Sequence, residues 1–516
     1  MIDFNQVTNE IISNTDENIE KNEAKIEANN ENVTHIKPIK DNEFQGLNIE
    51  KTTLEEIIDT ILVNAENQNL IDFLGGIYGE KVISYKKDGS KQIIKLKYYR
   101  TGATKFLIHL MQQENIRIIK DGEKLYFYNN CYWEKIENDK FILFLKDFSL
   151  KVGIFELEID DEYLKKMYKD ILNYIPSYET KRQNLINLKN GTFNLDTLKL
   201  QPFNPDDYLF YQLDFNFEPN AVNNTFMKYL ETTIPDKDTR QTLQEALGGI
   251  FIKNNTIKLE YSLFFNGSGS NGKSTLLDII EVLLGDENIS RVPLSRLKEE
   301  YYIMRLQHKL VNISPENNMT NFDKDIFKMT SSQEPLLGRD PREKPQEIND
   351  YGRFIYAVNE LKLSDYENTY GFWRRFIIIP FEVEFDEHTK DPEMFNKILN
   401  DGLSGVFNWI LEGAKRILSR DKKNIFISEK CNLEVKKLQR DTDPVIQFIY
   451  DEGYKKSKTT LIKVSDLYNE FRNYCVSVGI HTKITRKDFS KRLISLGFKK
   501  HISNYYYFFI EKQANN

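Results

Sequence analysis

The stretch Asn266-Gly-Ser-Gly-Ser-Asn-Gly-Lys-Ser-Thr275 carries the side chains and backbone freedom needed to hold a polyphosphate. It satisfies the pattern G-x-x-x-x-G-K-[ST] and lies where that pattern has a mechanism. Leu259–Phe265 in front of it reads as a buried strand, and Leu276–Leu284 behind it as an amphipathic helix. In a strand–loop–helix unit the loop N–H groups and the helix N-terminus face an anion. Gly267, Gly269 and Gly272 allow close backbone approach, with Ser268, Ser270 and Asn271 completing the cradle. Lys273 reaches the β- and γ-phosphates, the Ser274 hydroxyl ligates Mg²⁺, and Thr275 continues the helix. The expected ligands are ATP and Mg²⁺.

Hydrolysis asks for a carboxylate, a polar group near the γ-phosphate and a cation. Lys309-Leu-Val-Asn-Ile-Ser-Pro-Glu316-Asn317 is a short apolar strand ending in an acid. Beside a P-loop strand, Glu316 is placed to hold the metal shell or polarise water; by itself it would be an acid capping a surface strand. Arg353-Phe-Ile-Tyr-Ala-Val-Asn359 ends a second strand in an amide suited to orienting water. Arg374 and Arg375 open a very apolar strand, Phe376–Phe381. Arginines there need partners. Either they pair within the chain, with Glu360 or Asp365, or one projects into a neighbour's nucleotide site to stabilise transition-state charge.

These residues need a scaffold of alternating strands and helices, which the middle third of the chain supplies and which implies a mainly parallel sheet. At 516 residues and 40% hydrophobic, the chain has room for about three or four domains. Residues 1–50 are rich in Asn, Glu, Lys and Ile and read as a disordered or marginally helical tail. Further along, hairpins are expected around Asn129-Asn130 and Asn190-Gly191, with helices over Lys140–Leu150, Asn224–Phe251 and Pro392–Leu418. Asp160-Asp161 reads as a helix surface, not a metal pair. Cys131, Cys431 and Cys475 are far apart in sequence, supporting neither a disulfide framework nor a zinc site. No long apolar run is present, so a cytoplasmic protein without membrane association is expected.

With 71 Lys and Arg against 78 Asp and Glu, a nucleic-acid binder must concentrate its positive charge locally. The C-terminal segment does so. Val464–Cys475 reads as a helix with one apolar face, and Thr485 caps a second helix, Arg486–Leu496. Arg486, Lys487, Lys491 and Arg492 are expected to point outward from it, and Lys499-Lys500 precedes a strand over Tyr505–Ile510. Helix, basic helix and basic wing are consistent with a winged-helix domain that binds duplex DNA.

The ordered set of P-loop, strand-Glu316-Asn317, strand-Asn359-Glu-Leu and Arg374-Arg375-apolar-Pro-Phe resembles superfamily 3 helicases, more narrowly the phage/plasmid/poxvirus D5-like group often labelled phage P4-type primase/helicases. The resemblance implies an α/β fold: an AAA+-like P-loop core over 231–385, an N-terminal α+β D5-like domain over 51–230, a helical segment and linker over 386–455, and a C-terminal winged-helix domain over 456–516. It implies a homo-oligomeric ring, commonly a hexamer, around DNA. Gly267, Gly272, Lys273, Ser274 and Thr275 match motif A, Glu316 and Asn317 motif B, Asn359 motif C, and Arg375 or Arg374 the finger acting in trans. The family's DNA-gripping hairpin corresponds to Met329–Pro345, making Arg339, Arg342 and Lys344 candidates for phosphate contact. The segment ahead of about residue 100 is too short and polar for a fused primase. The function implied is an ATP-dependent DNA helicase, the replication initiator of a phage, plasmid or mobile island, working with host or element replication proteins. A P-loop kinase or packaging ATPase fits less well, lacking the Asn359–Arg375 series. An ATP-regulated origin-binding assembly protein is the non-enzymatic alternative.

Overall fold

Leu263, Phe264 and Phe265 are apolar in succession, so a strand carrying them must be covered on both faces. The computed structural model describes residues 49–78, 82–85, 92–94, 98–178, 183–316, 322–341, 344–361, 363 and 369–512, with 83–85, 92–94 and 316 as backbone only. Nearly all of the 1–50 tail therefore lies outside the described residues. The fold is mixed α/β. Its central sheet is parallel and built from β1 (Ser262–Asn266), β2 (Ile289–Ser290), β3 (Val311–Glu316), β4 (Arg353–Val358) and β5 (Phe376–Pro380). Their spatial order is β2-β3-β4-β1-β5.

Strand alternation divides the sheet's side chains between two cores. Leu263, Phe265, Ile355, Ile377 and Ile379 face helix α1 (Lys273–Leu284) and the helices Lys237–Gly248 and Leu403–Ser419. Phe264, Phe354, Tyr356 and Ile378 face Phe327, Leu336 and Phe372 on the other side. Asn224–Phe251, expected as one helical stretch, breaks at Ile234–Asp236 into two helices and a terminal 3₁₀ turn.

Core membership changes at two places within the expected domains. Five helices between Leu54 and Tyr174 share one core. The strands Leu185–Leu188 and Gly191–Asn194, joined at the expected Asn190-Gly191 turn, instead put Leu185, Ile186 and Phe193 into the P-loop core. Asn184 ties this region in, its Oδ1 accepting from Lys253 N and Thr256 Oγ1, each at 2.9 Å. Core membership thus changes near residue 180, inside the region expected over 51–230. Likewise, the helix Pro444–Asp451, in the segment expected as linker over 386–455, lends Val445 and Phe448 to the C-terminal core. The C-terminal sheet has the order Tyr454–Lys463, Tyr506–Lys512, Lys500–Ile502, all antiparallel. Its first strand was not expected from the sequence; the two helices, Val464–Ser477 and Arg486–Ser495, were.

Candidate functional site

Register brings the sequence's candidate groups to one end of the sheet. Glu316 pairs with Val358, and Val358 with Asn266. The acid, the residue before Asn359 and the residue before the loop therefore stand side by side at the C-terminal ends of β3, β4 and β1. This is where an open parallel sheet reverses its strand order and forms a crevice.

The loop itself is braced from three sides. Tyr229 Oη donates to Gly272 O at 2.6 Å, Phe385 N to Ser270 O at 2.8 Å, and Asn271 Nδ2 to Phe381 O at 3.2 Å. Gly272 has φ +82, and a Cβ there would lie 2.9 Å from Thr233 Cγ2, so both backbone and space demand glycine. Ser268 Oγ donates to Glu384 Oε1 at 3.0 Å, while Ser274 is exposed at the start of α1. Thr275 is half-buried in the same turn. Lys273 is buried and its Nζ donates to Gly267 O and Val358 O, both at 2.7 Å, and to Asn359 Oδ1 at 3.2 Å. Burial pushes its ammonium pKa down. An ammonium turned into the loop, a helix N-terminus and two positive-φ glycines form a donor set that fits a polyphosphate.

Arg374 and Arg375 lie at the opposite end, where β5 begins. Both pair with Glu260, although Glu360 and Asp365 are nearer in sequence. The reason is register: Phe376 stands opposite Ser262, so Arg374 falls beside Glu260. Arg375 is 8% exposed and donates from Nε and Nη2 to Ser332 Oγ at 3.1 and 2.8 Å, and from Nη1 to Gly371 O. Burial opposes ionisation of Glu260, but the Ser332 hydroxyl and the two guanidiniums outweigh it and hold the carboxyl below its usual range. Arg374 is 41% exposed and is the more accessible of the pair. Sequence reasoning missed Glu260, Tyr229 and Ser332. Glu260, two residues before β1, had a signal in its position.

Between β3 and β4, Leu336–Gly338 and Gln346–Ile348 form an antiparallel hairpin, with Arg339 and Lys344 exposed on its connection. Arg342 and Asn317 lie outside the described residues. Arg339 Nε pairs with Glu300 at 3.0 Å, and neighbouring Asp340 with Lys124 at 2.8 Å. Behind the hairpin, His308 is buried, its two ring nitrogens 2.9 Å from Asp121 and Asp350 and its face stacked on Phe210.

In the C-terminal region Arg486, Lys487, Lys491, Lys499 and Lys500 are exposed. Arg492 is not available outward: it turns inward and pairs with the fully buried Asp443 at 2.5 Å, which neutralises a carboxylate the core would otherwise not tolerate. No helix among the described residues is long and apolar enough to cross a membrane.

Comparison with known proteins gives two family matches. Residues 265–375 match a family of unknown function, DUF5906, and residues 104–235 match the family described as D5 N terminal like. The chain is 23% identical over 373 residues to "Putative helicase 121R" of Invertebrate iridescent virus 3, covering 64% of this chain and 38% of that protein. It is 25% identical over 240 residues to "Putative helicase L207/L206" of Acanthamoeba polyphaga mimivirus, covering 44% and 24%. The chain therefore spans well under half the length of these relatives. Among solved structures, the apo NrS-1 C terminal region (305-718) aligns with 15% identity and TM-score 0.42, covering 75% of this chain and 85% of that one. A second form aligns with 16% identity and TM-score 0.41, covering 67% and 79%. The family match places a D5 N-terminal-like region at residues 104–235, and with the two viral relatives it supports kinship with D5-like helicase/primase proteins.

Proposed function

We propose that this chain is an ATP-dependent DNA helicase of the superfamily 3 type, working as a ring in the replication of a virus, phage, plasmid or mobile island. One observation carries the reading: the P-loop, Glu316 and Asn359 end adjacent parallel strands in register, and Lys273 already hydrogen-bonds Asn359. The loop N–H groups and Lys273 would bind the phosphates of ATP, and Asn359 would orient the attacking water. Ser274 and Glu316 would hold Mg²⁺, which when bound neutralises phosphate charge. The names of the viral relatives support the same activity.

The position of the arginines supports a ring. β1 spans 5 residues, so its two ends are about 15 Å apart. At that distance neither Arg374 nor Arg375 reaches the nucleotide site of its own chain, which fits a cation supplied to the γ-phosphate by a neighbouring copy. Arg374, the exposed one, is the better finger. In this reading the hairpin bearing Arg339, Arg342 and Lys344 contacts single-stranded DNA in the channel, and the C-terminal domain, a winged helix, holds duplex.

The test is strand displacement on a forked duplex with ATP and Mg²⁺, wild type beside Lys273→Ala. Unwinding that vanishes in the variant supports the motor. Hydrolysis or DNA binding without displacement favours an ATP-regulated origin-binding assembly protein instead.

A further inference from the structure

The helix Arg486–Ser495 and the hairpin Lys500–Ile502/Tyr506–Lys512 enclose an open cleft of about 690 Å³. Five cations line it, Lys463, Arg486, Lys487, Lys491 and Lys500, and no carboxylate does. In a chain of net charge −7, such a lining singles out a polyanion. Phosphate contacts alone would need nothing more than these groups.

The hairpin tip adds something that phosphates do not use. Tyr505 and Tyr506 are 56% and 55% exposed, and Ile502 beside them 65%. The ammonium of Lys463 stands 3.6 Å from the centroid of Tyr505, and that of Lys500 3.9 Å from the centroid of Tyr506. Each ring thus has a cation against one face yet stays more than half open to solvent. Exposed aromatic faces interleaved with cations are the combination on which unstacked nucleobases settle. Inside a continuous duplex no base offers a face; at the end of a duplex, where strands part, one does.

We propose that this cleft is a binding site for a single-strand/duplex junction of DNA, with the five cations on the flanking phosphates and Tyr505 and Tyr506 stacked on the first exposed bases. The inference rests on the proposed action on DNA and assigns that domain a substrate more specific than duplex.

The experiment is equilibrium binding by the full chain, without nucleotide, to a fork carrying 2-aminopurine at its junction and to a closed dumbbell duplex of equal length. Wild type should bind the fork more tightly and quench the 2-aminopurine. Tyr505→Ala/Tyr506→Ala should lose about tenfold or more in fork affinity, and the quench, with dumbbell affinity within about twofold of wild type. The Phe pair should retain both, and an unchanged melting temperature excludes misfolding. Fork preference and quench surviving in the Ala pair would overturn the proposal and leave the tyrosines as a protein-contact patch. Because no ATP is present, failure here is separate from failure of the motor, which Lys273→Ala reads in the unwinding assay.

Discussion

The two ends of the parallel sheet handle charge in opposite ways. At the C-terminal end, Lys273 is held by two carbonyls and an amide oxygen, all neutral. At the N-terminal end, Glu260 takes both Arg374 and Arg375, and His308 lies between Asp121 and Asp350 just ahead of β3 and β4. An ammonium on neutral acceptors can exchange them for a phosphate without stranding a counter-charge. A guanidinium leaving Glu260 removes part of the positive charge around a largely buried carboxylate, which Lys258 also faces at 3.5 Å. One end holds its cation on neutral acceptors that an anion could replace; the other is already paired, and Arg374 is the more accessible of its two arginines.

The largest expected effect tests that last distinction. Arg374→Ala should lower ATP hydrolysis by about 10³-fold or more while changing stability by no more than about 1 kcal/mol, because its pair is partly exposed. Mixing it with Lys273→Ala should restore activity at interfaces that join one intact loop to one intact arginine. Full hydrolysis by Arg374→Ala alone would remove the trans contribution. Arg375→Ala should act chiefly on folding: loss of its bonds to Ser332, Gly371 and Glu260 should cost about 3 kcal/mol, read as a lower urea midpoint. A wild-type midpoint would mean that this end is not paired in the way its geometry implies.

The open end was more legible in sequence than the closed one, for a physical reason. Phosphate binding requires its glycines, lysine and hydroxyl within one loop, so Gly267 to Thr275 announce themselves. Glu316 and Asn359 were readable because each ends an apolar strand. The closed end is assembled across long separations: Glu260 meets Arg374 only because β5 pairs with β1. The strand Tyr454–Lys463 escaped because its residues are mostly exposed and Lys-rich, with an irregularity between Lys456 and Leu461, leaving no alternation to read. Arg492 looked like its neighbours on a basic helix, and nothing local revealed Asp443. The hairpin Leu336–Ile348 was expected through the family resemblance, while its two strands of three residues each are too short to show a period.

A smaller effect should come from the paired end through pH. Burial alone would depress the pKa of His308, but the hydrogen bonds and charges of Asp121 and Asp350 outweigh it and raise it. Asp350 is shifted the other way: burial opposes its ionisation, and Lys253 and His308 lower it strongly. The stabilisation from a raised histidine is complete below its unfolded value of about 6.5 and is lost as pH rises through the folded value. That from Asp350 is present above about 3.8 and lost as pH falls through its folded value. The junction of the Lys253, Asp121, His308 and Asp350 groups should therefore be firmest at mildly acid pH. The urea midpoint should decline as pH is raised above neutrality, and His308→Gln should flatten that decline. A slope identical in wild type and variant would detach His308 from the junction's stability.

The smallest effect concerns the hairpin, which shares the paired character although it is a candidate DNA contact. Arg339 pairs with Glu300, and Asp340 with Lys124, so these two charges of the hairpin are met inside the chain. Among the described residues no carboxylate lines the C-terminal cleft, although Asp488 acts on Lys487 and Lys491 from beside it and Lys463 and Lys500 stand over tyrosine rings. Affinity for DNA should accordingly reside in the cleft, with the hairpin contributing contacts only when Arg339 leaves Glu300. Arg339→Ala should weaken binding to single strands by only about threefold and reduce the salt slope by about one. Glu300→Gln, which releases the same guanidinium, should strengthen binding by a similar factor. If both variants bind as wild type does, Lys344 or Arg342 is the contact, and the pairing of Arg339 with Glu300 serves only to shape the hairpin.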